Sequence, residues 1–277
     1  MKKKILIIFG FFFLSFGSAS AHEKIIPMAP NLVETVYALG MGNKVAAVPM
    51  FTVFPKAAAD KPKAGNYLNP SYEAILNISP DLIIVQGKFH KLKKFTDMYD
   101  IPVLRVNMDS IDSIYSGIKE IGTKLECENK AYELINKIKS NLLTKKHKFK
   151  KKPDVFICLG RIPGSLRQIS TAGSKSFISE LINISGGINI FSDIDNNYVT
   201  VSKEEIKKRD PDIIIDVMPE VELNFEKKEK VKKIWQRLMP ENQNIFILNQ
   251  NYILIPGPRI TKTSDLFKEV LRKAEIE

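Results

Sequence analysis

Two glutamates stand at equivalent places in an internal repeat, and their spacing suggests a way of contacting a partner. Glu73 lies in the segment 71–84, and Glu204 lies in a similar segment 131 residues later, 202–215. Free carboxylates at matching places could dock onto paired basic sites of a two-fold partner. Alternatively, each glutamate only stabilises its own helix, by about 0.3–1 kcal/mol, through its interaction with the helix dipole. Seven positions are identical between the copies: Ser71/Ser202, Glu73/Glu204, Ile75/Ile206, Pro80/Pro211, Asp81/Asp212, Ile83/Ile214 and Ile84/Ile215.

Each copy of the repeat predicts a serine-capped short helix followed by a buried strand. In the second copy, Ser202 and Glu205 have the spacing of a capping box, in which Glu205 would accept from the Ser202 amide. Glu204 would then be free for another role. The first copy has Ala74 at the position of Glu205, so Glu73 is free as well.

Residues with catalytic or metal-binding potential are few and scattered. The chain has three histidines, His22, His90 and His147, and two cysteines, Cys127 and Cys158. They form no metal-ligand pattern, and neither cysteine has a base close in sequence. An oxidising compartment would permit a disulfide, but the positions do not favour one. We therefore expect a binding protein without catalytic residues, metal site or cofactor. An exported enzyme with a two-lobed α/β cleft is the alternative.

The N-terminus has the three parts of a secretory signal peptide. Three lysines precede a short apolar run, and residues 17–21 supply small residues for cleavage. The run is too short for a membrane anchor. The mature chain should begin at His22 and be soluble and periplasmic. Loss of the three lysines lowers the formal charge from +11 to +8. A basic chain can bind nucleic acid or an anionic ligand, and export argues against nucleic acid.

The elements alternate as expected for an α/β protein with parallel sheets. Predicted strands cover residues 24–28, 45–48, 82–85, 103–106, 154–159, 213–217 and 245–248. Residues 110–149 have a helical pattern between two α/β halves. The resulting division is a signal peptide, 1–21; an N-terminal lobe, 22–126; a connecting helix, 127–150; and a C-terminal lobe, 151–277. Ligand contacts are expected at loops beyond the strand ends.

Five segments together resemble a known family: 24–35, 65–84, 185–190, 201–215 and 256–260. They are similar to the periplasmic substrate-binding proteins that serve metal-chelate ABC importers for vitamin B12, ferric siderophores and haem. The resemblance covers nearly all of the mature chain. It implies two Rossmann-like lobes bridged by a single long rigid helix, with the ligand in a cleft between the lobes.

The resemblance also implies which loops contact the ligand. The corresponding residues are Tyr67, Lys88, Phe89, His90, Arg161, Arg167, Tyr252 and Arg259. The four cations among them could attract an anionic chelate, or several could be ordinary surface charges. The segment 249–255 departs from the pattern of the B12 binders. A ferric siderophore is therefore the leading ligand, with cobalamin or haem next, so the metal would be iron or cobalt. A binder of bare Zn or Mn ions is disfavoured by the lack of clustered histidines.

The partner implied by the resemblance is a membrane permease with two like subunits. In this family a glutamate at each lobe tip docks on permease arginines, and those positions match Glu73 and Glu204. The protein itself is expected to be a monomer that delivers its ligand without chemistry.

Overall fold

The computed structural model describes residues 22–66, 68–87, 89–143, 151–219 and 224–274. The predicted signal peptide lies outside this part of the chain. Two parallel β-sheets form within it, one from each half of the sequence. The predicted α/β fold with parallel sheets is confirmed.

The first sheet has three parallel strands in the order β1-β2-β3. These are β1 (Ile25–Pro27), β2 (Leu82–Gln86) and β3 (Val103–Val106). Its helices are α1 (Pro30–Ala38), α2 (Lys56–Ala59), α3 (Tyr72–Ile78), α4 (His90–Met98) and α5 (Ile111–Lys124), with a 3-10 turn at Gly42–Lys44. The strand predicted at 45–48 was wrong, because Val45 and Val48 make only single bridges. Val45, Ala47 and Val48 are buried, and Val45 meets β1 only through a single bridge to Ile25.

The second sheet has four parallel strands in the order β6-β4-β8-β9. They are β4 (Asp154–Cys158), β6 (Ile188–Asn189), β8 (Ile213–Val217) and β9 (Ile245–Leu248). Two further strands, β5 (Ile169–Ala172) and β7 (Tyr198–Val201), pair antiparallel. The helices of this half are α7 (Phe177–Ser185), α8 (Lys203–Arg209), α9 (Phe225–Leu238) and α10 (Ile260–Lys273).

Helix α6 (Glu128–Leu143) connects the halves and packs against both α5 and α10. Its buried residues Ala131, Ile135, Ile138 and Leu142 recur every three or four positions, as expected of one helix face. They belong to a hydrophobic cluster that also contains strand residues of both sheets. The halves therefore share one core. The predicted end of this helix, at residue 150, lies outside the described residues.

The repeated Pro-Asp pair has the same structural role in both halves. Ser79 and Asp210 end α3 and α8 in the left-handed conformation, with φ of 50° and 46°. Two residues further on, Asp81 accepts from the Glu23 and Lys24 amides at 2.7 and 3.1 Å. The matching Asp212 accepts from the Asp154 amide at 2.7 Å. Each aspartate thus joins the start of a central strand to the neighbouring strand.

Candidate functional site

The loops that follow the parallel strands meet where the two halves adjoin. Asn31, just after β1, donates to Gln86 Oε1 at the end of β2, 2.5 Å away, and to the Pro256 carbonyl, 3.2 Å away. Pro256 belongs to the segment between β9 and α10. Carboxyl ends of strands are where α/β proteins bind ligands. We call this region the interlobe junction.

A buried ion pair crosses the interlobe junction. Arg259 donates from Nε to Glu34 Oε2 at 2.8 Å and from Nη2 to Glu34 Oε1 at 2.6 Å. Its remaining Nη1 donates to Asn251 Oδ1 at 3.0 Å. The guanidinium carbon lies 4.1 Å from the ring centre of Phe54 and 5.5 Å from that of Tyr252. The charge of Arg259 is therefore fully engaged within the protein.

Burial makes the ionised form of Glu34 costly even in this pair. Desolvation raises the pKa of the Glu34 carboxyl above its ordinary 4.5, and the hydrogen bonds and charge of Arg259 oppose that rise. Glu180 provides a second link between the halves, because its Oε2 accepts from the Ile111 amide at the start of α5 at 2.6 Å. Its pKa is raised as well, chiefly by burial. Both carboxylates hold the halves together.

Arg161 lies at the end of β4 in a second buried polar cluster. Its Nε donates to Asp216 Oδ2 at 3.0 Å, and its Nη1 donates to the Ser165 carbonyl at 3.1 Å. Nη2 lies 2.9 Å from the same Asp216 oxygen without the alignment of a hydrogen bond. Trp235 Nε1 also donates to this oxygen, at 2.8 Å. Arg161 and Asp216 line a cavity of about 340 Å³ together with Leu254.

A larger cavity of about 620 Å³ adjoins the Glu34–Arg259 pair. Its walls include Tyr37, Phe54 and, from α6, Ile138. A cavity of about 1030 Å³ lies elsewhere, around Asp212 and the C-terminal end of α8. That end adjoins the amino ends of the strands. Ligands of α/β proteins bind at the opposite edge of the sheet, so we place the candidate site at the junction.

The predicted ligand-binding residues lie in several places. Arg259 and Tyr252 meet at the junction, and Arg161 lines the smaller cavity. Arg167 is exposed in the loop before β5. Phe89 packs against a cluster on the other face of the first sheet, and the exposed His90 begins α4. The two remaining residues, Tyr67 and Lys88, lie outside the described residues.

Sequence analysis did not predict that two acidic residues, Glu34 and Asp216, form ion pairs with the predicted ligand-binding arginines. Glu34 and Arg259 are 225 positions apart, and Arg161 and Asp216 are 55 apart. Two sequence signals were available. Asp216 is an acid inside an otherwise apolar strand, and Trp235 is the single tryptophan of the chain. A charge in a buried strand needs a partner, which argues for an arginine nearby.

The two repeated glutamates are exposed in the first turns of their helices. The capping prediction needs correction. Ser202 Oγ accepts from the Glu205 amide at 3.1 Å, but the Glu205 side chain pairs with Arg209 at 3.3 Å instead of returning to Ser202. Ser71 makes no side-chain cap bond. An arginine one turn away offers Glu205 a charged partner, which is stronger than an amide.

Metal binding and thiol chemistry find no support in the described residues. No group of three His, Cys, Asp or Glu side chains there could hold a metal ion. Cys127 and Cys158 are both buried and free. Burial raises the pKa of the Cys158 thiol above its ordinary value of 9, and the nearby Asp216 charge adds to that effect. A protonated, buried thiol is a poor nucleophile.

The fold and this junction are those of a two-lobed α/β binding protein, and comparison with known proteins agrees. A crystal structure of a possible iron-binding periplasmic solute-binding protein from Staphylococcus epidermidis matches with a TM-score of 0.77 and 27% identity. The match covers 92% of this chain and 100% of that one. The chain belongs to the periplasmic binding protein family, whose model matches residues 25–243.

Curated relatives extend over nearly the whole chain. A vitamin B12-binding protein of Vibrio parahaemolyticus is 26% identical over 288 residues, which cover 99% of this chain and 100% of that protein. A high-affinity haem uptake system protein of Staphylococcus aureus is 27% identical over 261 residues, covering 89% and 88% respectively. Within the described parts, none of the helices is long and apolar enough to cross a membrane.

Proposed function

We propose that this protein is the substrate-binding component of an ABC importer, which captures a metal chelate outside the cytoplasm and delivers it to a membrane permease. The observation that carries the proposal is the match to the periplasmic binding protein family over residues 25–243. Relatives named for vitamin B12 and haem binding support a metal chelate as the ligand. Residues 1–21 would direct export and then be removed.

The chelate would bind at the interlobe junction. Arg161 would contact it, because Asp216, which also accepts from Trp235, holds the Arg161 guanidinium beside the smaller cavity. Its charge is balanced by Asp216, and that of Arg259 by Glu34. Recognition would therefore rest on directed hydrogen bonds and ring contacts more than on net positive charge. A ferric siderophore remains our first choice, before cobalamin or haem.

The other predicted contacts would surround the junction. Tyr252 already packs near Arg259, and its ring is half-buried. Arg167 is exposed in the loop that follows Arg161, where it could reach a bound anion. Tyr67, Lys88, Phe89 and His90 complete the proposed set on the first lobe.

Delivery would depend on the exposed glutamates at the two lobe tips. Helices α3 and α8 are each joined to a central strand by three residues. A connection this short turns the chain back, so Glu73 and Glu204 would lie towards the carboxyl ends of the strands. That is the edge at which the ligand would bind. The partner would be a permease with two like subunits, approached by a single copy of the protein.

The ligand assignment can be tested with Trp235 fluorescence. Coloured chelates quench a nearby indole, and Trp235 bonds the same carboxylate as Arg161. We expect saturable quenching by one chelate from a panel of a ferric hydroxamate, haemin and hydroxocobalamin. Arg161→Gln should weaken that binding tenfold or more, whereas Arg167→Gln should change it less. Saturable binding of none of the chelates, or turnover of one, would contradict the proposal.

The docking assignment needs a separate measurement. Glu73→Gln, Glu204→Gln and the double variant should melt like the parent, since each loses only a weak dipole contribution. Ligand affinity should also survive, while permease-dependent uptake should fall, most in the double variant. Glu128→Gln is the matched control. It changes another exposed first-turn glutamate, and Lys130 in the same part of α6 lies beside Gly40, which follows the C-terminal end of α1. Helix α1 begins after β1, so its C-terminal end should lie away from the strands' carboxyl ends. Normal uptake by the double variant would refute docking through these residues.

A further inference from the structure

The outer face of the second lobe carries a dense set of cations. Helices α8 and α9 cover one face of the second sheet, where Ile206 and Trp235 pack in a cluster with strand residues such as Ile214. The other face of that sheet, which includes Ile215, joins the core shared by both lobes. The solvent-facing side chains of α8 and α9 therefore lie on the side of the sheet opposite the shared core. We call this surface the basic flank.

The basic flank holds most of the net charge expected of the mature chain. Helix α9 has six cations and two acids, and α8 has four cations and two acids, so the two helices together carry a formal charge of +6. The whole mature chain is expected to carry +8. Charge concentrated in this way produces a local positive field that attracts anionic partners.

The internal repeat indicates that the fold does not require this charge. The equivalent face of the first sheet is covered by α3 and α4, whose Ile75 and Leu92 pack with Ile83. Ile83 matches Ile214 at the offset of 131. Helix α3 has a single acid, and α4 has three cations and one acid, which gives a net charge of only +1 with histidine neutral. The same architecture thus forms with a nearly neutral flank, so the charge of α8 and α9 needs another explanation.

Ion pairs neutralise only part of the basic flank. Lys230 pairs with Glu226 at 2.6 Å, and Arg209 pairs with Asp193 at 2.7 Å. Like charges on one surface repel each other, and an opposing anionic surface would relieve that repulsion. Four exposed cations form no ion pair with any residue in the described parts of the chain: Lys207, Lys208, Lys233 and Arg237.

The arrangement of these cations favours an extended partner over a small anion. Lys233 and Arg237 are four positions apart, so they share one exposed face of α9 and do not line a cavity with each other. Lys207 and Lys208 belong to the cavity around Asp212, but its walls also include Asp210 and Glu241. Those carboxylates would repel a small anion. The surface of a membrane, in contrast, presents anionic lipid phosphates over the whole area of such a flank.

We propose that the basic flank binds the surface of a membrane that contains anionic phospholipids. Helices α8 and α9 would lie along the headgroups, with their lysines and arginines in contact with lipid phosphates. The choice of a membrane rests on the proposed function, because the substrate-binding component of an importer works beside the membrane that holds the permease. Lipid binding would raise the effective concentration of the protein near that permease.

Vesicle co-sedimentation of the protein purified after export tests this inference without permease or chelate. The parent should bind vesicles of phosphatidylglycerol and phosphatidylcholine, more weakly as salt rises, and should bind pure phosphatidylcholine vesicles little. Lys233→Gln combined with Arg237→Gln should weaken binding about tenfold, because each cation near an anionic surface contributes separately. Addition of Lys207→Gln and Lys208→Gln should remove most of the remaining binding.

The matched control is Lys91→Gln combined with Lys94→Gln. It removes the same charge from exposed positions of α4, on the equivalent flank of the first lobe. We expect it to change vesicle binding by about twofold or less, since these positions lie outside the basic flank. Melting temperatures close to the parent's would show that none of these variants acts by unfolding.

Three other results would overturn the inference. The first is equal binding to anionic and neutral vesicles, or binding to neither. The second is equal loss in the α9 and α4 variants, which would attribute binding to net charge and not to the flank. The third is tighter binding to polyglutamate than to anionic vesicles at the same salt, which would indicate an acidic protein as the partner. Chelate binding in the Trp235 fluorescence assay would leave the proposed function standing in each case.

Discussion

Individual charged residues at the junction depend on partners far away in sequence. Arg259 and Arg161 were expected to contact an anionic ligand, and each engages a buried carboxylate in the structure. An isolated arginine would be costly in such a place, because burying an unpaired charge loses its hydration. The pairs allow cations to stand next to a ligand site without an excess of charge.

Removal of Arg259 should therefore destabilise the fold. Arg259→Ala leaves Glu34 buried without its partner, and breaking such a pair from one side costs about 3–5 kcal/mol. Urea unfolding of the ligand-free protein would measure the loss. Arg167→Ala, which removes an exposed arginine, should change the free energy of unfolding by about 0.5 kcal/mol or less. Similar losses in both variants would mean that the Glu34–Arg259 pair contributes little.

At the level of elements, the two copies of the repeat give the same helix and strand but differ in capping. Ser202 accepts a hydrogen bond from the Glu205 amide, whereas Ser71 makes no such bond. The shared feature is instead the aspartate that joins neighbouring strands, Asp81 or Asp212. Identical serines thus have different local roles, because the backbone that enters each helix differs, with ψ of 92° at Ser71 and 154° at Ser202.

This difference predicts unequal effects of the same substitution. Ser202→Ala should lower the free energy of unfolding by about 0.5–2 kcal/mol, the usual cost of losing a side-chain cap. Ser71→Ala should have a much smaller effect, since no cap bond is lost. Chemical denaturation of the two variants in parallel is the measurement. Equal destabilisation would mean that Ser71 also caps its helix in solution.

The whole molecule is organised around a core that both sheets share. Residues of α5 and α6 pack in one cluster with strand residues such as Ile84 of the first sheet and Ile215 of the second. The Glu34–Arg259 pair and the Glu180–Ile111 bond add polar links between the halves. Interfaces that are large and apolar resist relative domain motion.

Ligand binding should therefore move the lobes only slightly. We expect backbone differences of about 1 Å or less between free and ligand-bound protein, as in other pre-organised complexes. Small-angle scattering should give nearly equal radii of gyration for the two states. A clear compaction on addition of the chelate bound in the fluorescence assay would contradict the shared-core argument and indicate hinge closure.

The sequence by itself determined the class of fold and the position of most strands. Mainly apolar runs bounded by turn residues identified Val103–Val106, Ile213–Val217 and Ile245–Leu248 with the bounds that the structure gives, although the first two contain one charged residue each. Such local signals suffice because a parallel strand buried between helices is mostly apolar on both faces. The internal repeat and the family resemblance were likewise recognised from the sequence alone.

Only the tertiary structure decided which polar groups meet at the junction. The partners Glu34 and Arg259 come from opposite ends of the chain, and no local pattern specifies a contact between them. The same holds for the strand predicted at 45–48. Its apolar residues fit the local pattern, but they form only isolated bridges, Val45 with Ile25 and Val48 with Lys63. The apolar residues of a segment indicate that it will be buried, but they do not indicate which segment it will pack against. A buried charge is stabilised only by a partner that folding brings beside it, and that partner can be far away in sequence.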